Sequence, residues 1–341
     1  MSRGFRRLRR AALLLALLLI AAGLYVYVQM QRRPPLTGLD TLLLPAAAPQ
    51  AGQLRVRFAG VSTLLFDDGE TAWLADAFFS RPPVSALMGP ISPDLQSVEA
   101  GLQKLGISKL AAVVPLHSHY DHAMDSPLVA QRTGALLVGS PSTLNLGRGA
   151  GLPAAQLREV RDGESLQLGR FKLSFIASRH SPTWWSDGNG HEDIEAPLKP
   201  PALASAWREG QVWSLLVEHE GRSILVQGSA GFVPGALQGR RVDTVFLGVG
   251  TLGKKNAAYR DGYWREVVQA SGARRVVPIH WDDFWLPLPA DGSLPQPIAY
   301  LIDDFGSTLA DLQARARAEQ REVRLAPLWQ AFDPYPQSAK P

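Results

Sequence analysis

Cysteine is absent from all 341 residues. Disulfides are therefore excluded, and any metal must be held by nitrogen and oxygen ligands. Acidic residues are missing from positions 1–35, which carry seven arginines: Arg3, Arg6, Arg7, Arg9, Arg10, Arg32 and Arg33. Outside that segment 28 basic side chains face 31 acidic ones, so the net charge of +4 and the pI near 9.4 belong to the N-terminus. The mildly acidic remainder has no electrostatic footprint for a phosphate backbone, which excludes nucleic acid as a partner. No fixed-period repeat is present. Glycine and proline are plentiful instead, at 31 and 26, and favour a loop-rich fold with strands over a helical bundle.

Ala11 to Val28 is an uncharged apolar run of 18 residues. As a helix it spans roughly 27 Å, close to the ~30 Å hydrocarbon core of a bilayer. Tyr25 and Tyr27 sit at its end, where amphipathic rings favour the interface. Five arginines precede the run and two follow it, so the N-terminus is expected to stay in the cytoplasm and the rest of the chain to be exported. The competing reading is a cleaved signal peptide with Ala21 and Gly23 before the cut. Residues 1–33 are thus expected as a membrane anchor and 34–53 as a linker, leaving 54–335 as the folded domain.

From Leu54 the pattern is one of short strands. LRVRFAG (54–60) alternates, STLLF follows, and Asp67-Asp68-Gly69 turns into TAWLADAFF. Helical spacing runs from Ser97 to Leu105 and stops at Gly106, and Ser126-Pro127 opens a helix ending near Gly134. Strands are predicted at 110–116, 135–139, 171–178, 244–250 and 274–280, with a hairpin at 214–228 and a helix over 263–270. This mixture suits an α/β fold of two sheets covered by helices, in four layers.

Seven histidines stand at 117, 119, 122, 180, 191, 219 and 280. His117-Ser118-His119-Tyr120-Asp121-His122 follows an apolar strand directly. In an extended segment residues 117 and 119 point the same way, so both imidazoles can reach one ion, while Asp121 and His122 can face a neighbouring one. A third ligand must come from elsewhere. His180 and His280 each end an apolar strand and are the candidates. His191, in DGNGHEDIE, and His219, in a hairpin turn, read as surface or hydrogen-bonded residues.

HSHYDH resembles the HxHxDH signature of the metallo-β-lactamase superfamily, and the resemblance extends over about residues 54–290. Ser178-Arg179-His180, GSAG at 228–231 and PIHWDDF at 278–284 are similar to the family's later site motifs. Met88-Gly89-Pro90 and Ile279-His280-Trp281 followed by Phe284 resemble the branch holding N-acyl-phosphatidylethanolamine phospholipase D and the ascorbate-phosphate lactonase. The resemblance implies a four-layer αββα sandwich in which His117, His119 and His180 hold one zinc and Asp121, His122 and His280 a second. It further implies a zinc-dependent hydrolase that uses a metal-bound hydroxide on an ester, lactone or phosphodiester bond. One departure stands out. Ser229 replaces the family's bridging aspartate, and an alcohol is a far poorer ligand for a divalent ion than a carboxylate. One tightly bound zinc and a weakened second site are therefore expected, unless the hydroxyl or a nearby acid, Asp282 or Asp283, completes it. Asp121 and Ser229 are the candidate catalytic residues, the first to orient water and take its proton, the second to donate a hydrogen bond to it. Trp184, Trp185, Trp281, Phe284 and Trp285 lie close to candidate ligands, as packing or as an aromatic lip for a small-molecule or lipid-like substrate. The alternative function is a non-catalytic metal-binding or sensing domain of the same fold.

Overall fold

The computed structural model describes residues 3–48, 50, 52–183, 188 and 192–336. Helix α1 (Arg3–Gln31) is continuous, and its apolar stretch Arg7–Gln31 is long enough to cross a bilayer and buries nothing against the protein. The segment expected as a free linker is instead seated on the domain over residues 34–48. Leu39 and Leu44 are buried. The Leu44 N–H donates to Leu325 O at 2.9 Å and the Ala47 N–H to Ala331 O at 2.8 Å.

The strands form two seven-stranded sheets and a small two-stranded one. The first sheet contains β1 (Arg55–Phe58), β2 (Leu64–Asp67), β3 (Ala72–Ala75), β5 (Ala112–Val114), β6 (Leu136–Gly139), β7 (Leu157–Glu159) and β16 (Ala331–Phe332), in the order β16-β1-β2-β3-β5-β6-β7. The second contains β8 (Ser165–Leu168), β9 (Phe171–Ser178), β11 (Val212–His219), β12 (Arg222–Gln227), β13 (Thr244–Gly248), β14 (Arg275–Ile279) and β15 (Glu322–Val323), in the order β15-β14-β13-β12-β11-β9-β8. Each begins as an antiparallel meander and continues with parallel strands. Strands β4 (Pro90–Ile91) and β10 (Ala202–Leu203) make the small sheet.

Alternation decides which face each side chain takes. Leu64 and Phe66 point between the sheets while Leu65 points outward; Leu215 and Val217 point inward while Leu216 points outward. Phe66 stacks on Trp73 at 4.3 Å and meets Phe246 of the other sheet edge-on at 6.1 Å. Helices α2 (Leu95–Leu105) and α4 (Ser126–Thr133) cover the outer face of the first sheet. Helix α6 (Ala257–Tyr263), its π-helical continuation Trp264–Gln269 and α7 (Phe305–Ala318) cover the second. The architecture is the expected four-layer sandwich.

Among the helices longer than one turn, α5 (Pro141–Gly149) and α7 had no expectation attached. Both carry the signal: Ser140 and Asp304 cap them by accepting from the Thr143 and Ser307 N–H groups. The expected cap at Ser126 is not one. α4 starts at Ser126 behind Asp125, whose carboxylate turns away to accept from the Phe79 and Ser80 N–H groups and the Ser80 hydroxyl at 2.6 to 2.8 Å.

Burial pushes the Asp125 carboxyl up to about 6 despite these three donors. Between pH ~4 and ~6 the folded state therefore holds more protons than the unfolded one, so this group's contribution to stability falls as pH rises. The full penalty above pH ~7 is of order 3 kcal/mol. Asp125→Asn keeps the shape without the charge. Denaturant titrations should show wild type losing stability relative to Asp125→Asn between about pH 4 and 7; a constant difference across that range would contradict the assignment.

Candidate metal centre

The C-terminal ends of β3, β5, β9, β12, β13 and β14 open at one edge of the sandwich, where loops can converge. Two triads form there. His117, His119 and His180 bring one ligand atom each within 4.8 Å of one another, as do Asp121, His122 and His280. His117 and His119 flank Ser118 in the bent segment after β5, where His119 itself is extended at φ −60 and ψ 153. Asp121 and His122 sit in α3 (Tyr120–Ala123), a single turn of helix that swings them to the adjacent position.

The ring nitrogens face inward. His117 Nε2 lies 3.0 Å from His119 Nδ1, and His122 Nε2 lies 3.1 Å from His280 Nε2. Asp121 Oδ2 is 3.3 Å from His280 Nε2 and 3.7 Å from His122 Nε2. The two groups adjoin, with the His117 and His122 rings 3.8 Å apart. Six nitrogen and oxygen ligand atoms converging on two adjacent points suit a cation. Outward nitrogens fix two of the rings: His180 Nδ1 bonds Ser181 O at 2.8 Å and His122 Nδ1 bonds Asp76 Oδ2 at 2.7 Å.

Electrostatics separate the two groups. Burial, then the neighbouring imidazoles, hold His117 well below its ordinary value. Burial likewise lowers His119 to about 4 and His180 to about 3, so all three are neutral and ready to ligate. Burial acts against the charged form of His122 too, but the carboxylates of Asp76 and Asp121 outweigh it and raise its pKa. For Asp121, burial is outweighed by His122 and His280, and the carboxyl stays well below the usual range.

Asp76 and Ser62 are the site residues that motif reading missed. Asp76 appears in the sequence only as the acid closing the opening meander. In the fold it accepts from the Ser62 hydroxyl at 2.5 Å and the Leu116 N–H at 2.7 Å besides contacting His122. Asp76 and His280 both adopt the left-handed region, with φ 48 and 60. That strain is held by hydrogen bonds from the Asp76 N–H to Val114 O and the His280 N–H to Val61 O.

Ser229, at the end of β12, is buried, and its Oγ accepts from the Ser181 N–H at 2.9 Å, beside His180. Asp282 and Asp283 do not complete the second triad. Asp282 accepts from the Val61 N–H and pairs with Arg81 at 2.6 Å, and Asp283 pairs with Arg33 at 2.6 Å. Trp281 is no part of a lip, being buried and stacked on Phe305 at 4.6 Å. Phe284 and Trp285 do reach the mouth: Phe284 packs on His280, and Trp285 Nε1 donates to the Tyr120 hydroxyl at 3.0 Å. His219 lies far off, bonded to Asp68 between the two sheets. Trp184, Trp185 and His191 lie outside the described residues.

Residues 72–281 match the β-lactamase superfamily domain, and the chain belongs to the metallo-β-lactamase superfamily. Two bacterial and archaeal relatives carry the name UPF0173 metal-dependent hydrolase. The one from Myxococcus xanthus is 26% identical over 63% of this chain and 70% of its own length. The one from Pyrobaculum arsenaticum is 25% identical over 68% of this chain and 85% of its own. Among solved structures, Igni18, a metallo hydrolase from Ignicoccus hospitalis, superposes with a TM-score of 0.50 at 14% identity, over 84% of this chain and 99% of that one.

Proposed function

We propose that this chain is a membrane-anchored, zinc-dependent hydrolase of an ester, lactone or phosphodiester bond, acting on a small-molecule or lipid-like substrate. The observation that carries it is the pair of adjacent, largely buried triads, one of three neutral imidazoles and one containing an ionised carboxylate. The names of the 25–26% identical relatives support metal-dependent hydrolysis. A divalent ion held by such ligands lowers the pKa of water toward ~7 and polarises the bond under attack.

The residues divide the remaining work. His117, His119 and His180 fit zinc, being a neutral nitrogen set without thiolates. Asp121 is ionised at neutral pH and, where the second triad holds no ion, is the acceptor for a water proton. Ser229 Oγ takes one hydrogen bond from Ser181 and keeps its own proton to donate to a water at the first triad. Phe284, Trp285 and Tyr120 offer an apolar wall to an acyl-bearing substrate. The arginines flanking α1 favour a cytoplasmic N-terminus and an exported domain; a C-terminal reporter active only in the cytoplasm would overturn that orientation.

The loss of the family's carboxylate at Ser229 motivates the second reading, a metal-binding domain without turnover. Generic ester and phosphodiester substrates separate the two. Hydrolysis that EDTA abolishes and zinc restores is the expected result; zinc-loaded protein inert toward both substrate types would favour the sensing domain.

A further inference from the structure

The residues that directly follow α1 are bound to the domain beside the metal centre rather than at an arbitrary point of its surface. The Tyr300 N–H donates to Arg32 O at 2.9 Å, and the Arg33 guanidinium pairs with Asp283 at 2.6 Å. A cavity of about 500 Å³ between Gln31, Arg33, Pro35, Leu286 and Gln296 continues this contact. Asp283 is three residues from His280, and three residues of chain span at most about 11 Å. The Arg33 guanidinium, just past the end of the apolar helix where Arg32 and Arg33 would meet lipid headgroups, is therefore held by an acid three residues from a ligand candidate of the second triad.

The apolar surface of the domain gathers at the same place. Among the described residues outside α1, the large apolar side chains that stand exposed are Val84, Met88, Leu95, Leu203 and Leu301, with Met88 exposed to 92%. Bonds made by these residues or by their neighbours in the chain lead to the loop that receives Arg33. Leu301 follows Tyr300. Arg81 binds Asp282, the Asp283 carbonyl and the Leu286 carbonyl, and the 3-10 turn Val84–Met88 follows it two prolines later. Leu203 pairs with Pro90, next to that turn. Leu95 follows Asp94, whose N–H donates to the Ser80 hydroxyl. Exposed apolar side chains scattered singly need no partner, but a cluster on one rim does.

We infer that this rim lies in the headgroup region of the bilayer that α1 spans, and that the metal centre draws an amphiphile from that leaflet rather than a solute from bulk water. The inference rests on the membrane anchor proposed above. It commits to lipid because the helix leaves the domain at this rim, so the anchor brings the rim to the bilayer surface. Phe284 and Trp285, on the same loop, stand where interfacial aromatics belong. A hydrolysable bond at headgroup depth would then meet the triads without leaving the membrane.

The chain has no cysteine, so single cysteines can report depth. Met88→Cys, Leu203→Cys, Leu18→Cys and Gln167→Cys would each be labelled with an environment-sensitive fluorophore in the full chain, reconstituted into phosphatidylcholine vesicles with and without a spin-labelled quencher lipid. Gln167 is exposed on β8, at the end of the sandwich opposite the triads. Quenching at positions 18, 88 and 203 but not 167 is expected. Quenching at 18 alone overturns the rim and spares the anchor, whereas no quenching at 18 removes the anchor itself. A blue shift at 88 without quenching would mean that protein covers the rim, and would overturn the inference. A Met88→Glu/Leu203→Glu chain provides the activity arm. It should lose about tenfold, equivalent to ~1.4 kcal/mol, against a vesicle-embedded ester while keeping its rate on a water-soluble one. Equal rates on both, or an equal fall on both, would count against the rim.

Discussion

His117→Ala and His119→Ala are expected to lose bound zinc and hydrolytic turnover together. Each removes one of three nitrogens whose ligand atoms lie within 4.8 Å of one another, and no carboxylate belongs to that triad to compensate. Disturbing a supporting hydrogen bond of a ligand costs about 10–100-fold in metal affinity, and losing the ligand itself should cost more. Neither change should unfold the chain, because the triad hangs on loops at the sandwich edge while the core lies between the sheets. His219→Ala makes the contrast. That ring bonds Asp68 in the interior, and its loss should cost ~1–3 kcal/mol of stability with zinc retained. Elemental analysis decides: full zinc content in both the His117 and His119 variants would sink the assignment.

Ser229→Asp should raise the zinc content from one toward two per chain. The six candidate ligands include one carboxylate, Asp121, and two divalent ions side by side repel strongly with so little negative charge between them. The acids beside His280 cannot make up the deficit, since Arg81 holds Asp282 and Arg33 holds Asp283. An aspartate at 229 could still accept the Ser181 N–H that the hydroxyl now accepts, so the turn should survive. Its second oxygen would supply the missing anionic ligand where the family has one. Two zincs per chain in the unmodified protein would show that the serine site already suffices. The rate need not rise with stoichiometry, because the present site works with the charge it has.

Most of the candidate ligand set was legible because it is local. His117 and His119 lie two residues apart just after a strand and meet in one triad, and Asp121 and His122 follow within one turn. His180 and His280 were legible as candidates because each ends an apolar strand, and strand ends are where this kind of fold gathers its loops. The aromatic residues around the site could not be sorted the same way. Trp281 and Trp285 are four residues apart on one loop, yet one is stacked in the core and the other faces Tyr120. An irregular loop has no periodicity from which to read that difference.

The sequence by itself determined the strand-rich domain, the apolar N-terminal helix and the candidate histidine ligands, since each follows from spacing, composition or a short motif; the departure at Ser229 is visible only against the family resemblance. Only the tertiary structure decided which partners those residues keep. Asp76 reaches His122 across 46 positions, Arg81 reaches Asp282 across 201, and Arg33 reaches Asp283 across 250. The segment after α1 read as a tether because proline, alanine and leucine carry no directional pattern; its docking depends on a groove that exists only once the strands Glu322–Val323 and Ala331–Phe332 are in place. Contacts of this kind form when two distant surfaces close on each other, and local chain chemistry holds no record of the surface that will arrive.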